Sequence, residues 1–336
     1  MMRELEDIRR LGKKLRENLA KCAHDPDVES VHDTRTGTRR LQATLENLIR
    51  EIPPGEGSEP VRDAAAATMK LLKKIRHEAG PVRDLDVHRK LIEKLVKRAV
   101  EPAEAATPAP ATEPQQSARL APDVAPAQEP PTATGLQQQA DQLDNWLRHR
   151  RGELADGLRA HADEMIEKLD KRIEELEAAR KTGPGPRARK KPPGVVALDS
   201  FARLASEMQV LDAANLHDFR KGAKKARYVA ELAAQGDAQA RVIGETLKKL
   251  QDEIGDWHDW LVLADEAHAA LGDHATELTG LVESEREKHF VAAMKTAAKL
   301  RGRLMGEWLA ISRRPVVRSS HRARRPAARV ARRAIP

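Results

Sequence analysis

The sequence predicts an all-α fold, and three observations carry the prediction. Hydrophobic residues make up 40% of the 336 and aromatic residues only 2%, so a core must be built from Leu, Ala, Val, Ile and Met. Charged residues reach 33%, a composition of amphipathic helices rather than of sheet, which favours β-branched and aromatic side chains. Apolar residues recur every three or four positions, and no stretch alternates as a half-buried strand does.

The elements follow in order. Leu5, Ile8, Leu11, Leu15 and Leu19 mark the first helix. Helices are expected next at 28–50, 60–79 and 82–99, with Pro26, Pro53, Pro54 and Pro81 at or between elements, where proline is tolerated. Residues 101–135 are rich in Pro, Ala, Thr and Glu without apolar periodicity, and read as a disordered insert. Beyond it the spacing predicts helices at 137–180, 197–211, 215–234, 238–254, 257–271 and 275–310. A basic linker at 182–194 interrupts them, and an Arg-rich tail at 312–336 is expected to be disordered. Residues 1–100 thus form a first helical half, and 136–311 hold the remaining helices and the second half.

Several classes drop out early. A single cysteine, Cys22, rules out an intramolecular disulfide and a cysteine-based zinc site, and its helical setting reads as a small buried hydrophobe. No apolar run approaches the ~18 residues that span a bilayer, and the amphipathic, mixed-charge N-terminus lacks a signal-peptide apolar region. A cytoplasmic protein without membrane partners is the expectation.

The net charge of +8 must be located before it means anything. From Trp308 onward the chain carries nine arginines and no acid, which leaves 51 of the 60 basic residues against all 52 acidic ones. The body is nearly neutral, so a cationic cluster within it reflects segregation of charge.

One such cluster is VHDTRTGTRR at 31–40, and it has a near-copy, LHDFRKGAKK, at 216–225. At an offset of 185, His32 matches His217, Asp33 matches Asp218, Arg35 matches Arg220, Gly37 matches Gly222, and Arg39–Arg40 match Lys224–Lys225. A second pair follows in the same order: HEAGPVRDLDVHRKLI at 77–92 resembles LQDEIGDWHDWLVL at 250–263, aligning Gly80 with Gly255 and Arg83–Asp84 with His258–Asp259. Two motif pairs in one order argue for an internal duplication, giving two helical bundles related by a pseudo-twofold.

At about 100° per residue, His32, Arg35, Thr36 and Arg39 fall on one face of their helix, while Val31, Thr38, Leu41, Leu45 and Leu48 fall on the other. In the second copy His217, Arg220, Lys221, Lys224 and Tyr228 share the polar face, and Leu216, Phe219, Ala223, Ala226 and Ala230 the apolar one. Like charges at i,i+4 repel by a few tenths of a kcal/mol per pair. A purely structural helix intersperses acids, as RIEELEAARK at 172–181 does. Two unrelieved stripes in a neutral body point to a polyanion, which guanidinium groups bind in bidentate fashion and ammonium groups as point charges.

These four motifs, in this order, resemble the CHAD domain, the conserved-histidine α-helical domain, over nearly the whole chain apart from insert and tail. The resemblance implies two four-helix bundles around a central basic groove that binds inorganic polyphosphate. Carried over by motif, the contacts are His32, Arg35, Arg39, Arg40 and Arg83 in the first half, and His217, Arg220, Lys224, Lys225 and Arg227 in the second. Lys73, Lys74, Arg76, Lys248 and Lys249 precede the two glycine motifs and are candidates to line the same groove, as is Lys221 from its place on the stripe. Asp84 and Asp259 are expected to orient arginines or cap helices. Two positions depart from the family: Thr36–Gly37 replace an apolar pair, and His258 stands where Asn is usual before Asp.

Two rival classes remain. His-Asp pairs at 32–33, 217–218 and 258–259 superficially suggest a metal-dependent phosphohydrolase. Neighbours on a helix diverge by about 100°, however, and the arginines around them repel a cation. No Gly-rich nucleotide loop, HExxH or Gly-x-Ser-x-Gly occurs. The expectation is therefore no enzyme, no metal and no cofactor. Nucleic acid is the stronger rival, since the tail can hold any polyanion. Sequence-tolerant single-strand binders rely on aromatic platforms worth ~1–3 kcal/mol per base. With one Tyr, three Phe and four Trp, the composition favours an anion without bases, leaving the tail for nonspecific nucleic-acid contacts. Polyphosphate binding in turn suggests association with polyphosphate or storage granules.

Overall fold

A computed structural model describes residues 2–52, 55, 57–100, 133–182, 192–234, 236–272 and 276–312. The expectations for the linker at 183–191, the tail at 313–336 and nearly all of the insert lie outside these residues. Every regular element described is helical: α1 (Met2–His24), α2 (Val28–Glu51), α3 (Glu59–Val100), α4 (Ala133–Thr182), α5 (Pro193–Glu207), α6 (Leu216–Ala233), α7 (Ala238–Leu271) and α8 (Glu277–Ser312). None of the described helices is long and apolar enough to cross a membrane.

The helix starts are chemically marked. Asp27 caps α2 by accepting the Glu29 and Ser30 amides at 2.7 and 2.8 Å, satisfying donors that have no partner within the helix. Asp237 does the same for α7 through the Ala240 amide at 3.0 Å, and its other oxygen accepts the Gly194 amide of α5 at 3.1 Å.

Helices α1–α4 pack around Ile8, Leu15, Leu45, Leu72 and Leu169, and α5–α8 around Phe201, Phe219, Leu247, Ile254 and Leu304. The apolar faces expected of α2 and α6 are the buried ones: Val31, Leu41 and Leu45 in the first, and Leu216, Phe219, Ala223, Ala226 and Ala230 in the second, are fully buried. A third core joins the two bundles. In it the C-terminal half of α3 and the N-terminal half of α4 meet the C-terminal half of α7 and the N-terminal half of α8, through Leu85, Ile92, Leu143, Leu147, Trp260, Leu263, Leu278 and Val282. Helices α2 and α6 also touch across the boundary. Cys22 is buried, as expected, with its sulfur 3.5 Å from the Thr34 hydroxyl.

Helix boundaries differ from the sequence reading at several places, including the starts of α4 at Ala133 and α5 at Pro193, inside the expected insert and linker. Helix α3 runs unbroken through Gly80–Pro81, where two helices were expected, and α7 runs unbroken through Gly255, where a break at 255–256 was expected. Proline inside a helix costs about 3 kcal/mol. Here Ala79 and Val82 on either side of it are fully buried against Cys22, Val31, Ala155 and Leu158, and packing at both flanks outweighs the local penalty. Helix α5 stops at Glu207 rather than 211.

One buried ion pair ties the first bundle together. Asp86 of α3 is almost fully buried and accepts from Arg151 Nε of α4 at 2.6 Å, while Arg151 Nη2 donates to the Pro26 carbonyl between α1 and α2 at 2.9 Å. Removing one partner of such a pair strands the other charge at a cost of about 3–5 kcal/mol. Asp86→Ala should therefore lower unfolding free energy by about that amount, and Asp86→Asn, which keeps an acceptor, by less. Urea denaturation followed by circular dichroism checks the ordering of the two.

Candidate anion-binding groove

The paired stripes face each other. A cavity of about 450 Å³ lies where α2, α3, α6 and α7 converge, lined by His32, Arg35 and Arg39 of α2, Arg83, Asp84 and His88 of α3, His217 and Arg220 of α6, and His258 and Asp259 of α7. It draws on both bundles, and six of the residues predicted from sequence reach it: His32, Arg35, Arg39, Arg83, His217 and Arg220.

Each central arginine is aimed by backbone as well as by charge. Arg35 Nη1 donates to the Gly80 carbonyl at 3.4 Å and pairs with Asp84. Arg220 Nε donates to the Gln251 carbonyl at 3.1 Å, and its guanidinium lies across Gly255. A Cβ at residue 255 would stand 2.7 Å from Arg220 Nη2, so glycine here leaves the guanidinium the place it occupies against α7. Gly37 and Gly222 also occupy matching places, each taking a leucine from a neighbouring helix: Leu15 of α1 in one case, Leu204 of α5 in the other.

The cations next along the stripes are crowded and uncompensated. Among the described residues no ion pair holds Arg39, Arg76 or Lys224. Burial is the main cause that pushes Lys224 down to about 7, and Arg39, Arg220, Arg35 and Arg227 add like-charge repulsion. Arg39 is lowered to about 10, again by burial first and then by Arg35, Arg220 and Arg76, with Tyr228 opposing. Burial likewise lowers Arg76 and Arg220. Buried polar atoms with no hydrogen-bond partner among the described residues gather here as well: Arg76 Nη1, Arg83 Nη1, His217 Nδ1, Tyr228 Oη and His258 Nδ1. Unpaired buried polar groups are costly, and this set combines two guanidinium donors, a phenol and two imidazole nitrogens that can take a proton, which suits an acceptor-rich ligand.

The remaining predicted residues lie elsewhere. Arg40, Lys73, Lys221, Lys225, Lys248 and Lys249 are exposed and do not line the cavity. Lys221 and Lys248 are held by carboxylates of their own helices, Asp218 at 3.0 Å and Asp252 at 2.6 Å. Lys74 turns toward Glu164 of α4, 3.9 Å away. Arg227 lies over the Tyr228 ring, 5.1 Å from its centroid, with Nε 3.3 Å from Glu231. Sequence reasoning missed His88, which is buried and within 2.6 Å of Glu266, and did not place His258 among the lining residues. The second glycine motif carried the signal for His258, since its aligned partner, Arg83, was already assigned to the groove.

Asp84 and Asp259 are the acidic members of the cavity wall. Asp84 holds Arg35, as the sequence suggested. Asp259 is raised above the ordinary carboxylate range, chiefly by burial, with His88 and Arg220 opposing and Asp84 reinforcing the shift. No group of His, Cys, Asp and Glu among the described residues has the arrangement of a metal site.

Comparison with known proteins agrees with this architecture. The family model of the CHAD domain matches residues 6–268. No curated protein matches the sequence. Among solved structures, the crystal structure of the CHAD domain from the plant Ricinus communis is similar with a TM-score of 0.52 at 18% identity, over 93% of this chain and 91% of that one. At that identity the likeness is one of fold alone. With the family model spanning most of the chain, the chain belongs to the CHAD domain family.

Proposed function

We propose that the chain binds inorganic polyphosphate in the groove between the bundles, as a binding module with no reaction of its own. The observation that carries this reading is the convergence of Arg35, Arg39 and Arg83 of the first bundle and Arg220 of the second on one cavity, with half-buried Arg76 and Lys224 beside it and no ion pair on Arg39, Arg76 or Lys224 among the described residues. Such a cluster costs free energy in the empty protein and gains it back only with a polyanion in place. The groove offers donors and charge, and no Phe, Tyr or Trp is among its lining residues to act as a stacking platform for bases, which favours phosphate units over nucleotides. Binding of this kind would bring the chain to polyphosphate or storage granules.

Titration with long-chain polyphosphate, in competition with DNA and RNA at equal phosphate concentration, tests the proposal. Polyphosphate should win clearly over both; parity among the three would reassign binding to nonspecific electrostatics.

The stripes should also act together. Arg39→Ala combined with Lys224→Ala should weaken polyphosphate binding severely and reduce its salt dependence, by analogy with the slope of about 0.7 per phosphate contact in single strands. Helix content and melting temperature should hold or rise slightly, because the change removes like-charge crowding. An early-melting variant that still binds would make the stripes scaffolding.

Lys224 gives the proposal a pH signature. Its folded value near 7 lies below the unfolded value of about 10.4, so between those limits the unfolded chain holds a proton that the folded one lacks. The penalty of charging Lys224 is full below pH 7 and fades as pH rises through that window. A polyanion restores the ammonium, so binding takes up a proton and affinity falls as pH climbs from 7 toward 9, by at most about tenfold per unit. Lys224→Arg should flatten that slope when affinity is measured at pH 7, 8 and 9.

A further inference from the structure

His258, one of the places where the sequence departs from the CHAD pattern, sits in the groove against a second imidazole. The rings of His258 on α7 and His217 on α6 have centroids 4.0 Å apart and planes inclined by 42°. Both line the cavity, and the Nδ1 atom of each is buried without a hydrogen-bond partner among the described residues. The other two imidazoles of the cavity are engaged: His88 with Glu266 at 2.6 Å, and His32 Nδ1 with the Nε donor of Arg83 at 3.4 Å. The adjoining pair thus holds two ring nitrogens able to take a proton and hand it to an anion as a charge-assisted hydrogen bond.

Resting on the polyphosphate reading above, we infer that His217 and His258 form a proton-accepting pair that contacts the bound anion, so that binding takes up a proton at acid pH and affinity rises as pH falls. In the empty groove the surroundings oppose protonation. Burial, then His217 and Arg220, push His258 down to about 4, with Asp84 opposing and His88 adding to the shift. Burial, then Lys221 and Arg220, lower His217, with Asp218 opposing and Lys224 adding. Arg35 and Arg39 from α2 and Arg83 from α3 line the same cavity, as does Asp259. A polyanion reverses this field, because an opposite charge within about 4–6 Å favours the charged imidazole by about 1–3 pH units. Protons are then taken up between the empty and occupied values, a window that lies below the one governed by Lys224.

Asp259 is the competing proton acceptor, since burial raises it and it shares the cavity. The test must separate the two. Isothermal titration calorimetry of the full chain with long-chain polyphosphate, in pairs of buffers with different ionisation enthalpies at pH 5.5 and 6.5, counts protons taken up on binding. The expected result is net uptake at pH 5.5 and affinity severalfold higher there than at pH 6.5. His258→Asn should remove most of the proton uptake and of the affinity gain between pH 6.5 and pH 5.5, while the melting temperature stays near that of the unaltered protein. Asp259→Asn should leave the uptake in place.

Binding without proton uptake in the unaltered protein overturns this inference and leaves the polyphosphate reading standing. Uptake that survives His258→Asn but vanishes in Asp259→Asn overturns it too, giving the proton to the carboxylate. Absence of polyphosphate binding at every pH overturns both readings. If His258→Asn melts early, the imidazole proton resonances of the unaltered protein, followed by NMR with and without polyphosphate, decide the matter. Upward shifts of both titrations on binding support the pair, and unchanged titrations overturn it.

Discussion

Two helices of like charge face each other in this molecule, and much of the rest of the fold serves to hold them there. Arg35 and Arg39 of α2 meet Arg220 and Lys224 of α6 across the boundary between the bundles, with the cations partly withdrawn from water. Alone, that arrangement pushes the bundles apart. The compensating attraction is placed along the helices, in the third core. There Leu85, Leu143, Leu147, Leu263 and Leu278 are buried, at roughly 1.5–3 kcal/mol of transfer free energy for each side chain. Like-charge repulsion between partly buried cations exceeds the few tenths of a kcal/mol per pair found on an exposed helix surface. Even with the entropy of ordering set against it, the apolar clamp prevails, and this separation lets the groove carry charge that a single compact bundle could not.

The carboxylates around the groove follow the same logic. Asp84 partners Arg35, and Asp259 acts on Arg220 from a distance, so the central arginines are oriented without being fully neutralised. Arg39, Arg76 and Lys224 receive no such partner among the described residues. Charge is aimed near Arg35 and left open along the stripe, a division suited to a ligand whose own charge is repeated along its length.

Much of this was legible in the sequence, because helical periodicity and segregated charge are local properties. The apolar faces of α2 and α6, the burial of Cys22, and the meeting of His32, Arg35, Arg39, Arg83, His217 and Arg220 could all be read from spacing and motif. What could not be read depended on tertiary contact. Pro81 reads locally as a helix boundary, and only the packing of Ala79 and Val82 against other helices keeps α3 continuous. Gly255 reads as a break until Arg220 is seen lying across it. Lys221 and Lys248 share their faces with groove residues, but acids one turn away on the same helix hold them outside. The contact of His217 with His258 has no local signature, since the two lie 41 positions apart in sequence.

The continuity of α3 has a mechanical consequence. Pro81 removes one rung from the hydrogen-bond ladder of α3, at a level between Arg76 and Arg83. Bending that wall at this point costs less than bending it elsewhere. The facing wall, α7, contains no proline, and at the matching level the Arg220 guanidinium is pressed onto its backbone at Gly255. The groove therefore has one compliant side and one stiff side. An anion held between them would meet walls of unequal stiffness.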